Sequence, residues 1–389
     1  MYRKRQFSLA AALLTGAALL VPVFGGVLAG TAGVDEDWSA LRTGREVFEA
    51  ACVTCHGGRG TGADRSARGF EVEPPDLTDC KFSSREPTVD WVAIASEGGP
   101  LKGFSPLMPA FGKVLTRAQL EAAVGHAKSF CTERKKWPPG EFNLPKALNT
   151  GKAFPEDEVA WSISATVEEP LAIDGKFVVA RRVGARHQLE VVLPGGAHQV
   201  ERLDPDGGTS YRWGEGVGDM AVAWKSVLWQ HLPAGTIGSL ALDVFFPTGD
   251  EADDFGKGIF SFEPALLIGQ IVPGVGFVQL QGGAELSTDP AVAGHVLFWR
   301  GAVGHTFRRD GFGRSWSPMV EILGATEIDD GVPPDWDIVP QLQVALSRRQ
   351  HVRLGLGALL PLTRFEDRQI EIQAYLVWDW YDGGFAEGW

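Results

Sequence analysis

Cysteine and methionine are scarce: the 389 residues carry four of each. So few cysteines exclude a disulfide-dense secreted scaffold, and so few methionines make any thioether set in a loop conspicuous. Positive charge is also short, with 36 Lys and Arg against 49 Asp and Glu, a formal net charge of −13. Beyond Arg3, Lys4 and Arg5 the basic pair Lys135-Lys136 is too small for a patch, which excludes nucleic-acid and lipid-headgroup recognition by basic clusters. After residue 23 no run approaches the roughly 18 apolar residues of a second transmembrane helix. No Ser-His-Asp arrangement or nucleotide loop stands out, so no residue set points to bond-making catalysis on a substrate of its own.

What is present begins with an export signal. Arg3 to Arg5 form a positive n-region, residues 9–23 an apolar core, and small residues near 29–33 offer a cleavage site after Ala32. Pro22 and Gly25-Gly26 argue against an uncleaved membrane helix.

The stretch Cys52-Val53-Thr54-Cys55-His56 then carries a strong signal. Two thiols at this spacing on a helical turn can form thioethers to one porphyrin, and the following His56 falls under the iron as proximal ligand: the attachment signature of a single, covalent haem c. A zinc site would need a second ligand pair, which the chain lacks, and a thioredoxin-like redox pair would not require the histidine. Cys80 and Cys131 remain. In an oxidising compartment an even remainder points to a disulfide, worth about 4 kcal/mol for a loop of about fifty residues in the loop-entropy model. Two buried free thiols are the alternative.

Helical periodicity marks residues 35–51, 88–97 and 116–131, the second ended by Gly98-Gly99 and the third opened by Thr116 as N-cap. Between the last two, the loop 103–112 holds Met108, the natural second axial ligand of the iron. Met1 leaves with the signal, and Met220 and Met319 lie in a different region. His126 is a rival ligand, but it sits inside a helix.

Residues 38–131 resemble a class I cytochrome c: Gly44-x-x-Val47-Phe48, then Cys52-x-x-Cys55-His56, Pro75-Asp76-Leu77, and Met108-Pro109-Ala110-Phe111-Gly112. The resemblance implies a small helical fold around one haem, with first and last helices packed together. It also implies that the Pro75 carbonyl accepts a hydrogen bond from the His56 ring, which would fix the ligand's tautomer. A Cys80–Cys131 bridge departs from the commonest pattern of that family.

Further on, Pro138, Pro139, Pro145 and Pro155 preclude a long helix and predict a semi-rigid linker over 135–157. Beyond it the period falls to two. Twelve strands are expected, around 158–168, 176–184, 186–194, 217–230, 236–247, 259–272, 276–287, 294–307, 315–327, 336–348, 351–362 and 369–381. An even number of tilted strands with one apolar face describes an outer-membrane barrel rather than a soluble sandwich. Aromatics near strand ends (Trp229, Phe245, Phe246, Phe298, Trp299, Trp378, Trp380) fit interfacial girdles, and the terminal Trp389 resembles the last aromatic of outer-membrane proteins. Gly216-Val217-Gly218-Asp219 is similar to an element of small transporter-like barrels. Glu263, Glu321, Gln341, Gln343, Glu371 and Gln373 fall on the inward face, either as a cation path or as a solvated lumen wall.

The expected chain is thus a multi-domain α + β protein: signal 1–32, a small all-α cytochrome c domain over 33–134, linker 135–157, and an antiparallel transmembrane β-barrel of about 12 strands over 158–389. It resembles fused cytochrome–porin proteins of the outer membrane, departing from them in a full-length cytochrome domain with its own Met and a smaller barrel. One-electron transfer is expected at the periplasmic mouth, with a periplasmic redox protein or small redox molecule as partner and outer-membrane lipid around the barrel. The alternatives are a porin-like channel gated by its haem domain, and a soluble periplasmic oxidoreductase with a β accessory domain.

Overall fold

The computed structural model describes residues 38–203, 209–251, 255–308, 314–328, 331 and 333–379. The expected signal segment 1–32, Trp380 and Trp389 lie outside the described residues.

Six α-helices build the first part: α1 Gly44–Ala51, α2 Val53–His56, α3 Arg65–Arg68, α4 Cys80–Ser83, α5 Thr88–Glu97 and α6 Arg117–Ser129. The first is shorter than its periodicity predicts because a capping box starts it. Thr43 Oγ1 accepts from Glu46 N, while Glu46 Oε2 accepts from Thr43 N at 2.9 Å, an arrangement that satisfies two otherwise orphaned donors. Thr116 and Gln119 repeat the device at α6. The two helices cross so closely that a Cβ on Gly44 would lie 2.1 Å from the Ala122 carbonyl oxygen. Val47, Val92, Leu120 and Val124 form the core between α1, α5 and α6, and Cys80 and Cys131 are joined as a disulfide.

Fourteen strands follow: β1 Glu158–Thr166, β2 Ala172–Val183, β3 His187–Leu203, β4 Thr209–Val217, β5 Ala221–His231, β6 Thr236–Phe245, β7 Ser261–Val272, β8 Gly276–Ser287, β9 Val296–Gly304, β10 Phe307–Arg308, β11 Ser315–Glu327, β12 Asp335–Ala345, β13 Val352–Pro361 and β14 Glu371–Asp379. All neighbours are antiparallel. Pairing of β14 with β1 and of β9 with β11 closes a ring of twelve strands. The two extra strands stand off the ring: β10 adds two residues against β11, and β4 pairs with the outer half of β3. Sequence reasoning ended this strand at Pro194, yet β3 runs on through Gly195 and Gly196. Gly196 fits there because its neighbour approaches closely; a Cβ would lie 2.5 Å from the Ile173 carbonyl oxygen.

Each ring strand turns apolar side chains outward. Trp161, Phe177, Trp224, Leu280, Ile322 and Leu356 are all exposed, Leu356 by 56%. Closure leaves the twelve-strand ring itself without an edge, and an apolar exterior on a closed ring is what hydrocarbon demands of a spanning sheet. Phe298 departs from the expected girdle. It is buried on the inner side, with the Arg300 guanidinium 4.4 Å above its ring.

The larger departure is the expected linker. Residues 140–157 run inside the ring as a folded-back plug, and Phe142, Phe154 and Asp157 are almost fully buried. The chain descends along β8 and β12: Gln279 Nε2 donates to the Pro145 carbonyl at 2.8 Å, Lys146 N to Gln343 at 2.9 Å and Leu148 N to Gln341 at 3.0 Å. It reverses at Glu321, fully buried at mid-barrel, whose carboxylate accepts Thr150 N and Thr150 Oγ1, both at 2.6 Å, and Asn149 N at 3.1 Å. It then climbs past Gln281, Ser239 and Gln188 to begin β1. Prolines that preclude a helix suit this path because side chains from the wall, not a regular ladder, satisfy the backbone. Glu321, Gln341, Gln343 and Gln373 therefore hold a polypeptide, where a cation path or a solvated wall was expected.

The ends of the ring differ. On the side where the plug enters, the turns 184–186, 232–235, 273–275 and 346–351 are short, the β9–β11 connection 305–314 being the exception; on the other, 246–260, 288–295 and 362–370 are long and the β3–β4 hairpin projects. Short turns mark the periplasmic end of such barrels and long loops the outer one.

Candidate functional site

The helical part encloses a cavity of about 590 Å³, within the usual range for small-molecule sites. Its wall contains Cys52, Cys55, His56, Pro75 and Met108 together with Phe48, Leu77, Trp91, Ile94 and Phe111. Four stretches of chain up to 56 positions apart thus converge on one space. Local backbone explains how. His56 N and Cys55 N both donate to the Cys52 carbonyl, winding the motif into one turn, and Gly62 N and Ala63 N fold the following loop back onto His56 and Cys55. Gly57, Gly60 and Gly62 all have positive φ in that loop, where glycine carries no steric penalty. Opposite, Gly99 N donates to the Met108 carbonyl at 3.1 Å. A Cβ on Gly98, whose φ is +84°, would lie 2.9 Å from that same oxygen, so the glycine pair that stops α5 also seats the Met108 loop.

Burial pushes the Cys52 thiol up to about 11, with the neighbouring Cys55 adding to it. Burial also lowers the His56 imidazole below its ordinary value, keeping it neutral as a metal ligand must be. His56 Nδ1 is buried without a hydrogen-bond partner. Pro75 lines the same cavity, its carbonyl accepting no bond from Nδ1, and the 74–77 loop is tied through Leu77 N to the Gly60 carbonyl at 2.7 Å. His126 lies away from the cavity, edge-on to Phe48 and Phe130.

Two thiols, a neutral imidazole with an unsatisfied nitrogen, a thioether and an apolar wall form a donor set that fits an iron porphyrin. A protein-family comparison matches residues 39–126 to the family described as cytochrome c oxidase, cbb3-type, subunit III. The helical part is a c-type cytochrome domain, fused to an outer-membrane β-barrel. Among solved structures the chain is similar to the COG4313 outer membrane channel from Pseudomonas putida F1 (TM-score 0.40, 12% identity, 61% of this chain and 100% of that one). It is also similar to the KdgM porin (0.36, 10%, 57% and 99%) and the NanC porin (0.37, 8%, 57% and 98%). No curated protein matches the chain.

No described helix is long and apolar enough to cross a membrane; the strands do so. The cytochrome domain sits against the periplasmic mouth and is welded there by buried charge. Arg85 Nη2 lies 2.6 Å from Asp157 Oδ2, both nearly inaccessible, and Arg308 Nη1 lies 2.8 Å from Asp90 Oδ1. Glu141, at the plug's entrance, accepts Thr88 N at 2.9 Å and Thr88 Oγ1 at 2.6 Å, capping α5 from outside its own domain. Burial pushes the Glu141 carboxyl up, but Lys128 and the Thr88 donors outweigh it and hold it below the ordinary carboxylate value. Glu86 behaves alike, with His351 of the β12–β13 turn as the leading counterweight. Sequence reasoning missed all of these contacts, because partners tens to hundreds of positions apart leave no local pattern. Gly216 and Val217 end β4, and Asp219 organises the outer loops, accepting from Thr248 N, Gly249 N and Lys257 N.

Proposed function

We propose that the chain is an outer-membrane-anchored monohaem cytochrome that passes single electrons at the periplasmic mouth of its barrel. The convergence of Cys52, Cys55, His56 and Met108 on one cavity carries this reading. In it, Cys52 and Cys55 attach one haem covalently, His56 and Met108 are the axial ligands, and Cys80–Cys131 ties the loop after Pro75 to the end of α6. A haem bound there supplies one-electron chemistry at a potential raised by the thioether. The protein's own work is to hold the ligands on two glycine-shaped loops, keep water from the apolar wall and fix the domain in the periplasm. The partner is a periplasmic redox protein or a small redox molecule. The channel alternative is disfavoured by the plug, which occupies the inner wall from Gln343 through Glu321 to Gln188.

The test is a haem stain of the denatured full chain from a host that attaches haem c. Wild type is expected to stain and Cys52→Ser/Cys55→Ser to lose the stain. Met108→Ala is expected to keep the stain but lose the sulfur-to-iron band of the oxidised spectrum. A wild-type chain without covalent haem overturns the proposal; an unchanged band removes Met108 from the iron.

A further inference from the structure

The wall of the cytochrome cavity is not built by the cytochrome domain alone. Arg349 and His351, from the turn joining β12 to β13, line it as well. Outside the Cys-x-x-Cys-His turn, the charged or titratable groups on this wall are the exposed Glu73 and, besides it, Arg85, Glu86, Asp90, Lys102, Arg349 and His351. Arg85 is taken by Asp157, and Glu86 faces His351 at 3.4 Å. Asp90 is held by Arg308 at 2.8 Å, nearer than its other cation, Lys102, at 3.4 Å. Two cations have no carboxylate hydrogen-bonded to them. Lys102 is 3% exposed, and its Nζ makes no hydrogen bond. Arg349 pairs with no carboxylate among the described residues; its Nη2 donates to the Gly103 carbonyl at 2.9 Å, and its Nε is buried without a partner. The two sit side by side, since Gly103 follows Lys102 and the Arg349 guanidinium stacks 4.4 Å from the Phe104 ring.

A cation held at a cavity wall with no carboxylate hydrogen-bonded to it calls for an anion. A haem brings two carboxylates on one edge. We infer that Lys102 of the cytochrome domain and Arg349 of the barrel together receive that edge, so that the haem site is completed only by the barrel. The inference rests on the haem reading above. Its consequence is electrostatic: a cation beside the carboxylates cancels negative charge near the iron and favours the reduced form, so the barrel tunes the potential of a group attached elsewhere in the chain. Arg349 is a positioning and tuning residue and touches no iron ligand.

The experiment uses the full chain in detergent, as wild type, Arg349→Ala and Arg349→Lys, and reads three quantities: covalent haem by mass, the ligand bands, and the midpoint potential with its redox-difference infrared spectrum. Arg349→Ala is expected to retain haem and ligand bands, to shift the carboxylate band, and to raise the oxidised-to-reduced ratio at fixed ambient potential about tenfold, equal to about 59 mV for one electron. Arg349→Lys, which keeps the charge, is expected to recover most of that ratio. A merely structural role for Arg349 would leave the carboxylate band in place. Haem-loaded Arg349→Ala and Arg349→Lys that both match wild type in potential and carboxylate band would overturn the inference while sparing the haem reading. A wild-type chain lacking covalent haem would overturn both.

Discussion

The two parts of this protein are inside out with respect to each other. The cytochrome domain hides Val47, Phe48, Val92 and Leu120 in its centre and keeps buried charges such as Arg85 and Asp90 for the junction. The barrel hides Gln188, Gln279, Glu321, Gln341 and Gln343 and exposes leucine and tryptophan. Water and hydrocarbon impose these opposite solutions on one chain. The difference teaches how a polar interior is filled. An apolar core closes by packing many interchangeable contacts, whereas a polar lumen must match each donor to an acceptor. Here the filler is the chain's own segment 140–157, and the junction where the two regimes meet is held by buried ion pairs.

The sharpest way to break the polar side is Glu321→Ala. It leaves three plug donors without their acceptor, at about 1–3 kcal/mol for each one unsatisfied. Planar-bilayer recordings are expected to show conductance in the variant and little in wild type; a silent variant whose plug stays protease-resistant would refute the seating role. At the junction, Asp157→Ala removes the carboxylate paired with the buried Arg85 and the acceptor of Arg182 N. Breaking such a pair costs about 3–5 kcal/mol, expected as faster protease release of the cytochrome domain from an intact barrel. On the lipid side, Leu356→Arg introduces charge at mid-strand, at about 2–4 kcal/mol. Equilibrium folding into bilayers should report that loss, while the cytochrome spectrum stays unchanged.

The smallest effect is a pH dependence confined to the junction. Glu86 and Glu141 have carboxyls held below their ordinary value of 4.5 in the folded chain. Their contribution is therefore complete above that value and is lost as pH falls through the lower folded values. Hydrogen exchange along α5 and the 140–142 turn is expected to accelerate below about pH 4.5 before the barrel strands respond. Simultaneous acceleration in β11 and β12 would show that the junction has no acid weakness of its own.

Much of the architecture was legible because it is periodic or local. Alternation along 338–346 and 370–378 placed Gln341, Gln343, Gln373 and Tyr375 on one face and Leu342 and Leu376 on the other, as the structure has them. Thr116 marked the start of α6, and Gly98 the end of α5. The plug was not legible. Its prolines and lack of period are equally those of a tether, and what distinguishes the two is whether side chains far along the chain wait to receive its backbone.

By itself, then, the sequence determined the elements and the chemistry at their centre: one Cys-x-x-Cys-His turn, a Met in a glycine-bounded loop, and strands with one apolar face. Each is written in neighbours a few positions apart, where spacing alone dictates geometry. Only the tertiary structure decided that the ring closes through β9 and β11, that residues 140–157 fill it, and that Arg349 stands beside Lys102 on the cytochrome cavity. Those outcomes depend on satisfying buried polar groups across hundreds of residues, a condition that no local pattern expresses.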